Sequence, residues 1–364
     1  MKLQRSGLLA GIALTATLSL VACGSDNETA SPAGGASAAA QNCAAGDLTA
    51  QGSTAQKNAM DEWIKTYQGQ CSNAKINYQG TGSGAGIQAF ISGTADFAGS
   101  DSALKPEEQP QADAKCAGGQ ALNLPMLVGP IAVVYNADGV ENLQLSASTI
   151  AKIFSGKVTK WNDPAIAAEN SGAQLPATTI ETVHRSDESG TTDNFTKYLS
   201  KTAPADWTYG NAKAWKAPGG TGAAKSDGVA ARVKSTPGTI SYVELSFAEN
   251  SDLKKAKVKN GAGEFVELTP QSAGKTIEGA KVAGTGNDLK LDIDYSTTTA
   301  GAYPIVLVTY EIVCSKGSPK AEAIKGFLTY TSSTGGQASL GELGYGPLPE
   351  TMRSKVAASV AAIA

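Results

Sequence analysis

The sequence predicts an α/β fold of two lobes that are joined by two crossover strands. Short β-like runs alternate with amphipathic helical patterns along most of the chain, and this alternation is typical of α/β architecture. Residues 126–135 and 305–313 are the most continuously hydrophobic runs after the N-terminal segment, and a self-contained α/β segment lies between them. We therefore expect the chain to leave the first lobe through one apolar strand and to return through the other. Two such crossing strands make a hinge, and a hinge implies a cleft for a ligand.

The elements of the first lobe follow from the spacing of apolar residues. The predicted order is a strand at residues 48–50, a helix through Met60, Trp63, Ile64 and Tyr67, a strand at residues 75–79, a short helix through Ile87, Phe90 and Ile91, and a strand at residues 96–99. Residues 106–119 are polar and are predicted to form a surface loop.

The second lobe and the return to the first lobe show the same alternation. An amphipathic helix is predicted to end at Gly156, and the Asn260-Gly261 pair predicts a hairpin. A helix through residues 321–328 and a C-terminal helix rich in Ala and Val follow the second apolar run. The predicted boundaries are residues 43–129 with 304–364 for the first lobe, and residues 130–303 for the second.

The first 23 residues are predicted to be a signal peptide. Lys2 and Arg5 form a charged beginning, and the apolar stretch after them is too short and too lightly flanked to indicate a membrane span. Leu-Val-Ala-Cys at residues 20–23 resembles the lipobox of bacterial lipoproteins, in which Cys23 becomes the lipid-modified N-terminus. An ordinary secretory signal with a chance cysteine is the alternative. Residues 24–42 are mostly Gly, Ser, Ala, Pro and polar residues, which predicts a flexible tether.

Four cysteines remain when Cys23 is set aside, which is an even number in an exported protein. Three pairings are possible, and the sequence alone does not choose among them. We favour Cys43–Cys71, which would staple the start of the mature chain near the first helix, and Cys116–Cys314, which would tie early chain to late chain. We expect no metal site, because no two cysteines lie close together in sequence and the chain holds one histidine.

The charge balance argues against a nucleic-acid partner. The formal net charge is −3, and removal of Lys2 and Arg5 with the signal peptide makes it −5. An acidic protein is a poor candidate for nucleic-acid binding. Any bound anion must therefore be held by local dipoles and one or two placed cations. We expect no cofactor and a monomeric protein.

Three loops share one design, in which small hydroxyl and glycine residues separate a β-like run from a helix. They contain Ser53-Thr54, Ser83 in a glycine-rich turn, and Ser189-Gly190-Thr191. Helix N-termini present unpaired N–H groups and partial positive charge, so three of them meeting in one cleft would suit a small oxyanion. Arg185, four residues before the third turn, adds a planar fork of donors that fits a tetrahedral oxyanion. Each turn alone is more often a helix N-cap or a tight connection.

Asp101 indicates which oxyanion would be preferred. A carboxylate that faces an anion repels it, unless the anion carries a proton that the carboxylate can accept. Monohydrogen and dihydrogen phosphate carry such a proton, whereas sulfate at neutral pH does not. As a lone Ser-Asp-Ser sequence, residues 100–102 would more often form an N-cap or a turn.

These motifs together resemble the phosphate-binding subunit of the bacterial high-affinity phosphate ABC transporter, the Pst system, over essentially the whole mature chain. The resemblance is carried in order by Gly-Ser-Thr at residues 52–54, Gly-Thr-Gly-Ser-Gly-Ala-Gly at 80–86, Asp-Phe-Ala-Gly-Ser-Asp at 96–101 and Arg-Ser-Asp-Glu-Ser-Gly-Thr at 185–191. It implies a two-lobed periplasmic-binding-protein fold of type II that closes around one inorganic phosphate.

The resemblance also implies a set of site residues and partners. The phosphate ligands would be Ser53, Thr54, the backbone N–H of Ala55, Ser83, Asp101, Arg185, Ser189, Gly190 and Thr191, and Asp187 would hold Arg185 in place. The implied partners are inorganic phosphate, the permease and ATPase subunits of an ABC transporter, and the outer face of the cytoplasmic membrane through the lipid on Cys23.

Other functions remain as alternatives at this stage. A binding protein for sulfate, molybdate or tungstate would share the fold, and Asp101 argues against it. A secreted hydrolase is disfavoured because His184 is the only histidine and neither Ser83 nor Ser189 lies in a Gly-x-Ser-x-Gly elbow. We expect His184 to be a strand residue that supports packing. A surface adhesion or sensing protein on the same scaffold is a third possibility.

Overall fold

The computed structural model describes residues 43–364, so the predicted signal peptide (1–23), the Cys23 lipidation site and the tether (24–42) lie outside the described residues. The strands are β1 (Gly46–Gly52), β2 (Ala74–Gly80), β3 (Phe97–Ser100), β4 (Ala121–Asn136), β5 (Gln144–Leu145), β6 (Glu181–Arg185), β7 (Thr221–Ala223), β8 (Thr239–Glu244), β9 (Lys254–Lys255), β10 (Lys257–Lys259), β11 (Phe265–Val266), β12 (Lys281–Val282), β13 (Leu291–Asp292) and β14 (Val306–Cys314). The helices are α1 (Lys57–Gln70), α2 (Ser83–Ile91), α3 (Gln109–Lys115), α4 (Ala147–Phe154), α5 (Pro164–Glu169), α6 (Gly190–Thr202), α7 (Lys225–Ser235), α8 (Leu245–Asn250), α9 (Pro270–Glu278), α10 (Ala321–Thr331), α11 (Thr334–Ala338) and α12 (Glu350–Ala361). From residue 43 onward, no helix combines the length and the apolar character that a bilayer-spanning segment requires.

A nine-stranded mixed sheet organises the fold. Its order is β2-β1-β3-β14-β4-β8-β6-β7, and β9 pairs with β4 on the edge opposite β8. Strand β1 is parallel to β2 and β3, β6 is parallel to β7 and β8, and β14 is antiparallel to β3 and β4. The first part of β4 pairs with β14, and its last six residues, 131–136, pair with β8. The chain therefore passes from the β1–β3 side to the β6–β8 side through β4 and returns through β14, as predicted for the two apolar runs.

A β-bulge interrupts the pairing of the two long strands. Thr309 pairs with Leu127 but Tyr310 pairs with Pro125, so Met126 is the extra residue. The carbonyl of Met126 accepts a hydrogen bond of 2.9 Å from the Gln337 side chain, which satisfies the group that the bulge removes from the ladder. Bulges re-aim neighbouring side chains, and Thr309 at this one points toward Asp101.

An aromatic cluster fixes the start of α6. The ring of Phe195 stacks on that of Tyr242 at 4.2 Å, and Phe154 meets Phe195 edge-on at 5.0 Å. The Tyr242 hydroxyl lies 2.7 Å from the Thr192 hydroxyl in the first turn of α6. Since all three rings are buried, this packing holds the N-terminus of α6 against the sheet.

Most of the predicted elements are confirmed. Each predicted strand and helix overlaps an observed one, although β3 and β14 begin one residue later than predicted and α4 ends two residues earlier, and the hairpin at Asn260 joins β10 and β11. The prediction for residues 106–119 is wrong, because α3 occupies half of that segment. Only Ala112 of α3 is buried, so this short polar helix has almost no apolar periodicity by which a sequence could reveal it.

Both favoured disulfides are confirmed. Cys43 is bonded to Cys71, which ends α1, and Cys116, which ends α3, is bonded to Cys314 at the end of β14. The two bonds close loops of very different length, with sequence separations of 28 and 198 residues.

Loss of the long-range disulfide is predicted to destabilise the protein more than loss of the short-range one. The chain-entropy relation gives about 5 kcal/mol for the loop closed by Cys116–Cys314 and about 3.5 kcal/mol for the loop closed by Cys43–Cys71. Urea unfolding of the two double Cys→Ser variants under non-reducing conditions measures the difference. Equal losses, or a larger loss for Cys43→Ser with Cys71→Ser, would contradict the prediction.

Candidate functional site

The first hydroxyl turn follows directly from the end of β1. Gly52 has a φ of +144°, and a Cβ built on it would lie 1.9 Å from the Gly99 carbonyl oxygen, so only glycine fits this close approach of β1 and β3. The Ser53 N–H then donates to the same carbonyl at 2.8 Å. The Ala55 N–H donates to the Ser53 hydroxyl at 3.0 Å, which closes the turn two residues before α1 begins.

The other two predicted turns begin helices at the positions expected. Ser83 is the first residue of α2, and Gly190 is the first residue of α6 after the N-cap Ser189. The Gly190 N–H donates to the Ser83 hydroxyl at 3.2 Å, so the two helix starts meet. A Cβ on Gly190 would lie 2.5 Å from the Asp101 Cβ, and the missing side chain is what allows α6 to approach so closely.

Asp101 lies at the centre of these turns. Its carboxylate accepts hydrogen bonds from the hydroxyls of Ser53 at 2.6 Å, Thr309 at 2.7 Å and Ser83 at 3.0 Å, and the residue is 3 % exposed. Burial raises the pKa of Asp101 to about 6, the Ser53 and Thr309 hydrogen bonds act in the opposite direction, and the Glu244 charge adds to the rise. At neutral pH the group is therefore an ionised acceptor held among donors.

Arg185 lies at the end of β6 and is held by Asp187. Its Nε donates to one oxygen of Asp187 at 2.8 Å and its Nη2 to the other at 2.5 Å. Burial alone would lower the pKa of Arg185, but the Asp187 carboxylate more than offsets this and leaves the pKa above its ordinary value. Nη1, the remaining arm of the guanidinium, points to the hydroxyls of Ser226 at 3.3 Å and Thr191 at 3.4 Å.

In the first turn of α6, the backbone N–H groups are better able to bind an anion than the Thr191 hydroxyl is. The Thr191 hydroxyl donates to the buried Glu244 carboxylate, so its single hydrogen is already used. The Ser189 hydroxyl accepts from the Thr192 N–H at 3.3 Å and keeps its own hydrogen as a donor. An anion here would meet the Ser189 hydroxyl and the Thr191 N–H, and it would replace the Ser83 hydroxyl as the acceptor of the Gly190 N–H.

The site is enclosed by contacts between the segment before β4 and the segment between β4 and β14. The Asn194 side chain donates to the Asp101 carbonyl at 2.7 Å, and the Gly84 N–H donates to the Glu188 carbonyl at 3.0 Å. Further links are Ser102 to Asp193 at 2.6 Å, Asn58 to Ser246 at 2.7 Å, and a buried ion pair of Lys213 with Glu108 at 2.7 Å.

His184 packs against an aromatic ring as predicted. Its imidazole stacks on Trp215 with ring centroids 5.0 Å apart and planes within 7°. Its Nδ1 lies 3.0 Å from the Arg185 carbonyl oxygen. The imidazole is thus engaged by packing and by backbone, which is the role expected from the sequence.

The structure adds four residues that the sequence analysis did not identify. Thr309 donates to the Asp101 carboxylate, and Asn194 donates to the Asp101 backbone carbonyl. Glu244 accepts from Thr191, and Ser226 lies between Thr54 and Arg185. Only Ser226 had a usable signal, because it is a hydroxyl residue in the first turn of a helix that follows a pair of glycines and a short strand.

Two features indicate a substrate-binding protein: the two long strands through which the chain passes from one side of the sheet to the other, and the turns that meet around Asp101. A family described as the PBP superfamily domain matches residues 37–334. A solved structure, described as a high-affinity periplasmic phosphate-binding protein (PfluDING) bound with phosphate, is 22 % identical with a TM-score of 0.69, and the match covers 86 % of this chain and 93 % of that one. This likeness establishes the periplasmic-binding-protein fold.

Curated relatives narrow the assignment from the superfamily to one family. Phosphate-binding protein PstS 3 of Mycobacterium leprae is 45 % identical over 373 residues, and phosphate-binding protein PstS 2 of Mycobacterium tuberculosis is 43 % identical over 370 residues. Both alignments cover 100 % of this chain and 100 % of the relative. The chain belongs to the PstS family of phosphate-binding proteins, within the PBP superfamily, and is a substrate-binding protein and not an enzyme.

A second buried carboxyl group next to Asp101 yields a prediction on stability. Glu311 of β14 is 1 % exposed, and burial raises its pKa from 4.5 to about 8, while Gln56 acts in the opposite direction and Asp101 adds to the rise. The folded protein thus holds a proton that the unfolded chain has lost, so stability is predicted to fall as the pH rises from about 4.5 to about 8.

Glu311→Gln is predicted to flatten the upper part of this pH dependence, because an amide cannot ionise. Asp101, with its pKa of about 6, contributes in the same direction only at lower pH, so the interval from about 6 to about 8 isolates Glu311. Urea unfolding across that interval is the measurement, and the exposed Glu342→Gln is the matched control. An unchanged slope in Glu311→Gln would show that Glu311 is ionised in the folded protein.

Proposed function

We propose that this chain captures inorganic phosphate outside the cytoplasm and delivers it to the permease of an ABC transporter. The single observation that carries the proposal is Asp101, a buried carboxylate that accepts from three hydroxyls and lies against the first residue of α6, in a chain of the PstS family. Such a mixture of one acceptor with many donors matches a tetrahedral oxyanion that still carries a proton.

The proposed ligand set draws on both sides of the enclosed site. From the segment before β4 it comprises Ser53, Thr54, the Ala55 N–H, Ser83 and Asp101, and from the segment after it Arg185, Ser189, Gly190 and Thr191, with Asp187 supporting Arg185. Of these, Thr191 would contribute its N–H, since its hydroxyl donates to Glu244. Ser53 and Ser83 would act mainly through Asp101, because their hydroxyls donate to its carboxylate. The Ala55 N–H would exchange its present acceptor, the Ser53 hydroxyl, for the ligand.

Selectivity against sulfate follows from the proton. Phosphate would donate its proton to the Asp101 carboxylate, whereas sulfate has no proton to donate and would place a second negative charge against that carboxylate. A site for sulfate or molybdate would not be expected to bury an ionised carboxylate among its donors. The same residue therefore disfavours the nearest alternative function.

Capture is proposed to proceed by closure of two lobes, formed by residues 43–129 with 304–364 and by residues 130–303. The links from Asn194 to Asp101 and from Lys213 to Glu108 join these segments and would form as the lobes meet. Closure is favoured because a ligand that bridges both lobes gains contacts that the open form lacks.

Delivery is proposed to take place at the outer face of the cytoplasmic membrane. The two disulfides are consistent with an oxidising compartment. Cys23 would carry the lipid anchor, residues 24–42 would tether the domain, and a monomer would present phosphate to the permease and its ATPase.

Asp101→Asn is predicted to weaken discrimination against sulfate more than it weakens phosphate binding. The amide keeps the size of the side chain but is uncharged and supplies an N–H donor, so sulfate no longer faces a carboxylate charge. Loss of one charge-assisted hydrogen bond predicts a fall in the phosphate-to-sulfate affinity ratio of roughly 10- to 100-fold. Isothermal titration with phosphate and with sulfate measures the ratio.

Arg185→Ala is the matched comparison, because the guanidinium would bind any oxyanion. It is predicted to weaken phosphate and sulfate by similar factors and to leave their ratio unchanged. Comparable phosphate and sulfate affinities in the unmodified protein, or an unchanged ratio in Asp101→Asn, would refute the proposed role of Asp101.

Selectivity is also predicted to decline in acid. Below its pKa of about 6, Asp101 carries a proton and can donate to sulfate, so sulfate binding should strengthen relative to phosphate binding as the pH falls. Titrations at about pH 5 and about pH 8 compare the protonated and ionised forms of the carboxyl group. Phosphate itself also changes its ionisation over this range, so Asp101→Asn, which lacks the carboxyl group, is the control. The ratio should change more in the unmodified protein than in Asp101→Asn, and equal changes in the two proteins would contradict the prediction.

A further inference from the structure

Ser226 occupies a position inside the site that the family motifs do not include. It lies in the first turn of α7, is fully buried, and approaches residues from both sides of the enclosure. Its hydroxyl is 2.9 Å from the Thr54 hydroxyl and 3.3 Å from Arg185 Nη1. It therefore forms a direct polar link between the turn after β1 and the guanidinium at the end of β6.

The hydrogen-bond inventory gives this link a direction. A guanidinium can only donate, so the Ser226 oxygen accepts from Arg185. The single Ser226 hydrogen is then available for the Thr54 oxygen, and the Thr54 hydrogen is left for a further acceptor. With an anion next to Thr54, the donors are aligned in one direction: Arg185 donates to Ser226, Ser226 to Thr54, and Thr54 to the anion.

The backbone in front of Ser226 is held by the same carboxylate that holds Arg185. The Lys225 N–H donates to Asp187 Oδ1 at 3.0 Å, and Lys225 has a φ of +63°, a left-handed conformation that is unfavourable for a residue with a side chain. Asp187 thus fixes both partners of the hydrogen bond between Arg185 and Ser226. This shared support keeps the Ser226 hydroxyl in one place.

We propose that Ser226 is a positioning residue of the phosphate site, which orients the Thr54 hydroxyl hydrogen toward the ligand and couples Thr54 to Arg185. The inference rests on the proposed function, because it assigns Ser226 a role toward the same ligand. Ser226 acts through Thr54 and Arg185, and its contribution is realised when Thr54 donates to phosphate.

The test is a double-mutant cycle on the full mature protein, with inorganic phosphate as the ligand. Ser226→Ala is expected to weaken phosphate binding roughly 10-fold, the effect of about one hydrogen bond. On a Thr54→Val background the same substitution is expected to have almost no further effect, because Ser226 then has no hydroxyl to orient. Ser235→Ala, on the exposed last turn of α7, is the matched control and is expected to bind phosphate as the unmodified protein does.

Urea unfolding without phosphate separates a binding effect from a folding effect. Equal loss of affinity on both backgrounds, or unchanged affinity in Ser226→Ala while the unmodified protein binds phosphate, would overturn the inference and leave the proposed function intact. If the unmodified protein does not bind phosphate, the proposed function fails, and the role of Ser226 toward phosphate fails with it.

Discussion

The fold around the site depends on keeping one ionised carboxylate out of water. A buried charge without partners is very costly, so the Asp101 carboxylate must be surrounded by donors that the backbone places accurately. Three hydroxyls meet this requirement, from the turn after β1, from the start of α2 and from the bulge in β14's pairing with β4. The close approaches at Gly52 and Gly190 follow from the same demand, since a methyl group at either position would push these elements apart.

The positive and negative side chains of the site are more nearly equal in number than is expected for a site that binds an anion. Arg185 is paired with Asp187, and two further acidic side chains, Asp101 and Glu244, are buried close by. An arriving anion therefore meets no large excess of positive charge, in keeping with the net acidity of the chain. In the proposed site, attraction would come from N–H groups at helix starts and from hydroxyl hydrogens, both of which act only at short range. Specificity and affinity then rest on geometry more than on the overall field.

The sequence was sufficient for the parts of the site that are local in the chain, and insufficient for those that depend on strand register. Turns such as Ser189-Gly190-Thr191 carry their signal within a few residues of sequence. Outside the site, the favoured disulfide pairing and both crossing strands were also predicted correctly. Thr309 and Glu244 lie in apolar strands, where a polar side chain gives no sign of its partner until the strands are aligned. The helix missed at residues 109–115 lacks an apolar face, and the N-terminal predictions fall on residues that the structure does not describe.

The disulfide at residue 43 has a mechanical consequence. Tension that enters through the chain before Cys43 passes across the covalent bond to Cys71, at the junction of α1 and β2. Strand β1 begins three residues after Cys43 and lies between β2 and β3, so the force does not pass through β1. A domain that is pulled, sheared or dragged by its leading end would thus keep the strand that leads into Ser53 in register.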